Sequence, residues 1–239
     1  MGVRMNFLAI DIEATGLSPE KDRIIELAAI RYIDGKPKEC FEKLINPGYP
    51  LSERIIELTG ITDDMLVGAM TEREVIEEFL TFAGEDVLLG HNISVDYSFI
   101  KVAADRLKIG FERQGIDTLY LSRTLKADLE KKNLEAMCEH YGIIRECSHR
   151  ALEDAIAAAA LYQKLYEEFN HNFEASFLPV ELIYKVKKQE PMTEKQKKYL
   201  LDLVNYHKIE VPSGLADFSK SMASRFVDKT ILQYGRMKR

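Results

Sequence analysis

Three runs of hydrophobic positions near the N-terminus are separated by polar breaks. MNFLAIDIE, RIIELAAIRYI and a run through CFEKLINP each have strand length and strand composition, and Asp34-Gly35 between the last two is a two-residue hairpin signal. They predict an antiparallel meander. The period then lengthens: in TEREVIEEFLTFAG, Thr71 and Glu74 have capping-box spacing, and Val75, Ile76, Phe79 and Leu80 share one helical face.

Strand and helix signals continue to alternate. DVLLGHN is a short fourth strand, residues 95–108 a helix, 116–120 a fifth strand, and 133–141 a helix starting at Asn133. A long helix is expected over 149–169, where Ala155 to Ala160 carry so little bulk that the backbone can lie close to a sheet. Pro179 and Pro191 flank a Lys-rich stretch that reads as a linker. Thr193 and Gln196 then repeat the capping-box pattern ahead of Tyr199, Leu200, Leu203 and Val204, and Pro212-Ser213-Gly214 precede a helix around 219–232. The pattern predicts an α/β domain over 1–172 with a mixed five-stranded sheet flanked by helices, a linker over 173–191, and a small helical module over 192–239.

Charge divides the chain the same way. Residues 179–239 hold 13 Lys and Arg against 7 Asp and Glu, net +6, which leaves residues 1–178 at net −12. An acidic body is not a simple electrostatic nucleic-acid binder, but it suits a site where cations neutralise carboxylates before a polyanion arrives. No apolar run approaches the roughly 20 residues needed to cross a bilayer, and no signal-peptide pattern opens the chain, so a soluble cytoplasmic protein without membrane contact is expected. The three cysteines, Cys40, Cys138 and Cys147, form no CxxC pair and no disulfide framework.

Three places carry polar residues that a fold does not need. Asp11 and Glu13 sit two apart at the end of the first strand, so both point to one face, where like charges repel. Asp96 opens the helix after the fourth strand, and His149 and Asp154 sit near the start of the alanine-rich helix. Each has a plain structural explanation: a solvated strand end, a helix-dipole preference, or one polar position on an amphipathic helix. Cys138-x-His140 and Cys147-x-His149 invite a zinc reading, but residues two apart on a helix point nearly opposite ways and the spacing is not that of a knuckle.

Taken together and in order, DIEATGL, LTGIT at 58–62, HNISVDYSFI, NLEAMCEHYGI and HRALEDA resemble the motifs of the DEDDh 3′→5′ exonucleases, over about residues 6–168. That RNase-H-like family includes the proofreading epsilon subunit of bacterial DNA polymerase III. The resemblance implies a nuclease with two divalent cations, Mg²⁺ or Mn²⁺, that removes nucleoside 5′-monophosphates from a free 3′ end. DNA is favoured as substrate, with RNA 3′ ends as the alternative and a non-catalytic polymerase-associated module as a rival of another class. It further implies that Asp11 bridges both cations and that Glu13 and Asp154 complete the site of the one activating water. Asp96 would support the second cation, and His149 would take the proton from the attacking water. Hard cations want oxygen ligands, so carboxylates that repel when empty become favourable when filled.

Substrate contacts implied by the family are Ala14, Thr15, Gly16 and Leu17 at the strand-end turn, with Leu17 packing on a base, and His91, Asn92 and Phe99 along the same cleft. Leu17 and Phe99 are equally at home in a core. Ala14 departs from the threonine many relatives carry there, which leaves metal binding intact and alters one substrate contact. The C-terminal module, outside the resemblance, is expected to grip nucleic acid or to dock on a DNA polymerase or another protein.

Overall fold

The computed structural model describes residues 6–145, 150–187, 190–212 and 214–237. Its elements run β1 (Phe7–Ala14), β2 (Ile24–Ile33), β3 (Lys36–Asn46), α1 (Glu53–Thr59), α2 (Asp63–Leu66), β4 (Met70–Thr71), α3 (Glu72–Ala83), β5 (Leu88–Gly90), α4 (Ile93–Arg106), β6 (Gln114–Asp117), α5 (Thr118–Leu125), α6 (Leu134–Tyr141), α7 (Ala151–Phe173), β7 (Val180–Glu181), α8 (Glu194–His207) and α9 (Lys220–Tyr234).

The sheet has seven strands rather than the expected five, in the order β4-β3-β2-β1-β5-β6-β7. The two additions, β4 and β7, are two-residue edges, too short for any alternation of side chains to announce them. β1, β2 and β3 form the expected meander, and Asp34 and Gly35 at its hairpin both take positive φ, as a type I′ turn requires. β5 joins β1 in parallel and β6 joins β5 in parallel, so the sheet is mixed.

β1 lies between two cores. Its even residues Leu8 and Ile10 join a cluster with Phe79 of α3 and Ile93 and Tyr97 of α4. Its odd residues Phe7 and Ala9 join Ala155, Ala158 and Tyr162 of α7 on the other face. The alanines of α7 are buried against β1 and β2, where small side chains let a helix approach closely. Asp11 and Glu13 continue the odd face past the end of the core, toward α7.

Two expected boundaries shift. Only residues 116 and 117 of the expected strand 116–120 are extended, because the Asp117 carboxylate accepts from Leu119 N–H at 2.9 Å and starts α5. The expected linker is strapped to the domain: α7 continues to Phe173, a 3₁₀ turn buries Phe177, and β7 pairs with β6. Tyr184 then donates to Glu20 at 2.7 Å.

α8 and α9 pack on each other and on Tyr49, forming a third cluster with Leu200, Val204, Phe218, Met222 and Phe226. Among the described residues, no helix is long and apolar enough to cross a membrane.

Candidate active site

Asp11, Glu13 and Asp154 converge where β1 leaves the core. One carboxylate oxygen from each lies within 4.8 Å of the others. Asp11 and Glu13 share a face by strand alternation, and a register shift between Glu13 and Ala14 bends the strand just beyond them. Asp154 comes from the first turn of α7, its N–H bonded to Arg150 O at 3.1 Å.

Asp96 approaches from the first turn of α4, across the end of the sheet. It is 6% exposed, and its Oδ1 accepts from Ile12 N–H at 3.1 Å, which fixes it between the two acidic residues of β1. Its charge bears on both Asp11 and Glu13.

The electrostatics are those of a site short of positive charge. Burial, and then the charges of Asp96, Asp154, Glu13 and Glu26, raise Asp11 well above the usual carboxylate range. Burial and Asp154 push Glu13 up to about 8, against a smaller opposing effect of Arg150. Burial pushes Asp96 up to about 7, although its backbone hydrogen bonds act the other way. Arg145 pairs with Asp154 through Nη2 and supplies one cation. An all-oxygen set this crowded is a fitting donor set for hard divalent cations.

Behind the carboxylates stands Glu26, which the sequence pattern did not single out. It pairs with Glu13 across β1 and β2 and has no exposed surface. Its Oε1 accepts from Arg150 Nη2 at 2.7 Å, and its Oε2 accepts from Ala151 N–H at 3.0 Å. The signal was present: one charged residue interrupts the apolar run IIELAAI.

The turn after β1 is braced from within. Thr15 Oγ1 accepts from Arg23 N–H at 3.0 Å and lies 3.0 Å from Tyr49 OH, and Thr15 N–H donates to Arg23 O at 2.9 Å. A Cβ on Gly16 would fall 2.5 Å from Asp22 Oδ2, so this position takes glycine for want of space. Leu17 is 93% exposed, whereas Ala14 packs partly against the core. The LTGIT stretch forms the end of α1, with Gly60 at φ 69° and Ile61 buried, and serves as scaffold.

His91 and Asn92 line an open depression with Arg123 and Lys132. His91 Nδ1 lies 2.9 Å from Thr118 Oγ1 and Nε2 lies 3.0 Å from Lys132 O, and burial lowers its pKa. A neutral ring then carries its proton on Nε2, since a carbonyl only accepts. Phe99 departs from the expectation of a cleft residue: it is 3% exposed and belongs to the core on the even face of β1. His149, with Cys147 beside it, lies outside the described residues.

Comparison with known proteins gives this arrangement its relatives. The profile of the RNase_T exonuclease family matches residues 8–162. DNA polymerase III PolC-type from Staphylococcus aureus is 40% identical over 173 residues, covering 70% of this chain and 12% of that protein. The chain thus spans about an eighth of the length of that curated relative. Among solved structures, Exonuclease X in complex with 5′ overhanging duplex DNA aligns with a TM-score of 0.58 and 24% identity, covering 72% of this chain and 97% of that one. The nuclease domain of 3′hExo, a DEDDh family member bound to rAMP, aligns with a TM-score of 0.63 and 20% identity, covering 76% and 99%. E. coli Exonuclease I with a dA16 oligonucleotide aligns with a TM-score of 0.65 and 20% identity, covering 71% and 42%. Those likenesses show the same fold, and the profile match with the 40% identity carries the assignment: this chain belongs to the RNase_T exonuclease family.

Proposed function

We propose that this protein is a divalent-metal-dependent 3′→5′ exonuclease that acts on DNA ends and releases nucleoside 5′-monophosphates. The observation that carries this reading is the convergence of Asp11, Glu13 and Asp154 within 4.8 Å, with Asp96 beside them. Asp11, Glu13 and Asp154 would hold one ion, and Asp11 and Asp96 the second, Mg²⁺ or Mn²⁺. Bound there, two such ions supply an acidified water, neutralise the attacked phosphate and stabilise the leaving oxygen.

The chain's own residues do the rest. His149, next to the anchored Arg150, is the general base for the water, a role suited to a side chain that titrates near neutral pH. The turn at Thr15, Gly16 and Leu17 receives the terminal nucleotide, with exposed Leu17 free to pack on its base. His91 and Asn92, in the depression they share with Arg123 and Lys132, would contact the strand as well. DNA is favoured because the 40% identical relatives are DNA polymerases, and the protein would work in the cytoplasm beside such a polymerase. RNA is the second reading, since one structural neighbour is bound to rAMP.

The test uses 5′-labelled DNA and RNA of one sequence with Mg²⁺. A shortening ladder on DNA, abolished by Asp11→Ala, is expected; shortening that survives this substitution refutes the mechanism. His149→Ala should lose about 10²-fold or more in rate with Mg²⁺ affinity unchanged. Faster shortening of RNA reverses the order of the two substrates.

A further inference from the structure

Helix α9 reaches the turn that follows β1. Arg225 Nη1 pairs with Asp22 and also donates to Lys21 O at 3.2 Å. Asp22 is the carboxylate that accepts from Ser18 N–H at 3.0 Å and from Thr15 Oγ1 at 3.3 Å. Through the Asp22 carboxylate, α9 is therefore tied to the turn assigned to the 3′ nucleotide.

An open depression lies along this contact, lined by Lys21, Ser221, Ser224, Arg225, Asp228 and Lys229. Lys21, Arg225 and Lys229 line it together with Asp228, and Arg225 is also paired with Asp22. Lys229 lies over the Tyr49 ring at 4.3 Å from its centroid, and its buried amine has no hydrogen-bond partner. Burial and the neighbouring Arg225 push this ammonium down to about 8, against the opposing charge of Asp63. A buried, unpartnered ammonium is costly unless an acceptor is supplied. Lys21, on the opposite wall, is exposed.

We propose that Lys21, Arg225 and Lys229 form a binding site for a backbone phosphate of the nucleic acid strand whose 3′ end occupies the neighbouring turn. Lys21 and Lys229 add positive charge beside an Arg225 that Asp22 already orients, an arrangement that suits a phosphate oxygen. The basic C-terminal helices thereby complete the acidic exonuclease domain: the carboxylates take the end of the strand through cations, and α9 takes the strand behind it directly. The inference rests on the proposed nuclease reading, because that reading places the 3′ end at the turn.

The experiment measures binding of a 5′-fluorescent 12-nucleotide single strand to the full chain by anisotropy, in Mg²⁺ and over a range of salt, in an Asp11→Asn background. Lys21→Glu changes an exposed residue, and Lys229→Met removes the amine while keeping an apolar stem on Tyr49. Each should weaken binding about 5-fold or more and lower the salt slope by about 0.7, the value for one phosphate contact on a single strand. Unchanged affinity and slope for Lys21→Glu, or failure of the chain to bind the strand, overturns the proposal and leaves the patch to a protein surface. The 4-nitrophenyl ester of thymidine 5′-monophosphate has no phosphate beyond the reacting one. Its Mg²⁺-dependent hydrolysis by the Asp11-containing chain reports the nuclease reading separately, and loss of strand binding in the variants with ester hydrolysis retained is the expected pair of results.

Discussion

Arg150 Nη2 lies 2.7 Å from Oε1 of Glu26, across 124 residues of sequence, and Ala151 N–H caps the same carboxylate. A fully buried acid on β2 thus fixes the first turn of α7 beside Glu13, and with it the position of Asp154. Glu26 is a positioning residue. Glu26→Gln keeps a carbonyl for Ala151 but loses the charged pairing, so kcat is expected to fall about 10-fold or more with KM little changed and the Mg²⁺ dependence shifted to higher concentration. Glu26→Asp, one methylene shorter, should recover part of the rate; equal kcat in all three proteins refutes the role. Destabilisation of Glu26→Gln should be about 1–3 kcal/mol by thermal or urea unfolding.

Raised carboxyl groups make the metal-free protein sensitive to rising pH. Glu13 at about 8 and Asp96 at about 7 hold protons in the folded state that the unfolded chain releases near pH 4, so the native state binds more protons across that window. Stability therefore falls as pH rises from about 5 to 8, the opposite of a salt-bridged carboxylate. In chelator the melting temperature should drop by about 5 °C or more over this range, and Mg²⁺ should recover most of the loss at pH 8. Glu13→Gln, which lacks the titration, should show a flatter profile; a wild-type midpoint that climbs with pH in chelator contradicts the assignment.

Arg145 pairs with Asp154, and in the proposed site it would compete with a metal ion for this carboxylate. Arg145→Ala removes the guanidinium that offsets this carboxylate in the absence of divalent ions. The variant should melt lower than wild type in chelator yet reach half-maximal stabilisation at lower Mg²⁺, a crossing of the two titration curves. Parallel curves would mean that Arg145 does not oppose metal at Asp154.

Gly16 has no room for a methyl group. A Cβ there would meet all three atoms of the Asp22 carboxyl group at 2.5–2.7 Å. Since Asp22 holds Thr15, Ser18 and Arg225 together, Gly16→Ala should cost about 1–3 kcal/mol and raise KM several-fold while kcat stays within a factor of two or so. An unaltered KM would separate the turn from the substrate.

Local chemistry made much of this legible. The meander showed in strand-length apolar runs and Asp34-Gly35, and both capping boxes, at Thr71 with Glu74 and at Thr193 with Gln196, close as spaced. The acidic residues were visible because carboxylates at the edge of apolar runs need an explanation. What stayed hidden depends on tertiary register. Glu26 gains meaning only from its pairing with Glu13, and Phe99 only from which side of α4 meets β1. β4 and β7 are held by two residue pairs each, and Tyr49 joins the C-terminal helices through packing and through the Lys229 ammonium over its ring.

β1 is bonded on one side to β2 and on the other to β5, and a separate cluster covers each of its faces. Its amides should exchange with solvent only on global unfolding, whereas the ends of α4 and α7 can open locally. Asp11 and Glu13 are then held by the sheet itself, and Asp96 and Asp154 by single anchors to it, the Ile12 N–H and the Glu26 carboxylate. Partial thermal opening would scatter the ligand set from the helical side while the strand pair stays in place, so inactivation should precede the loss of the sheet.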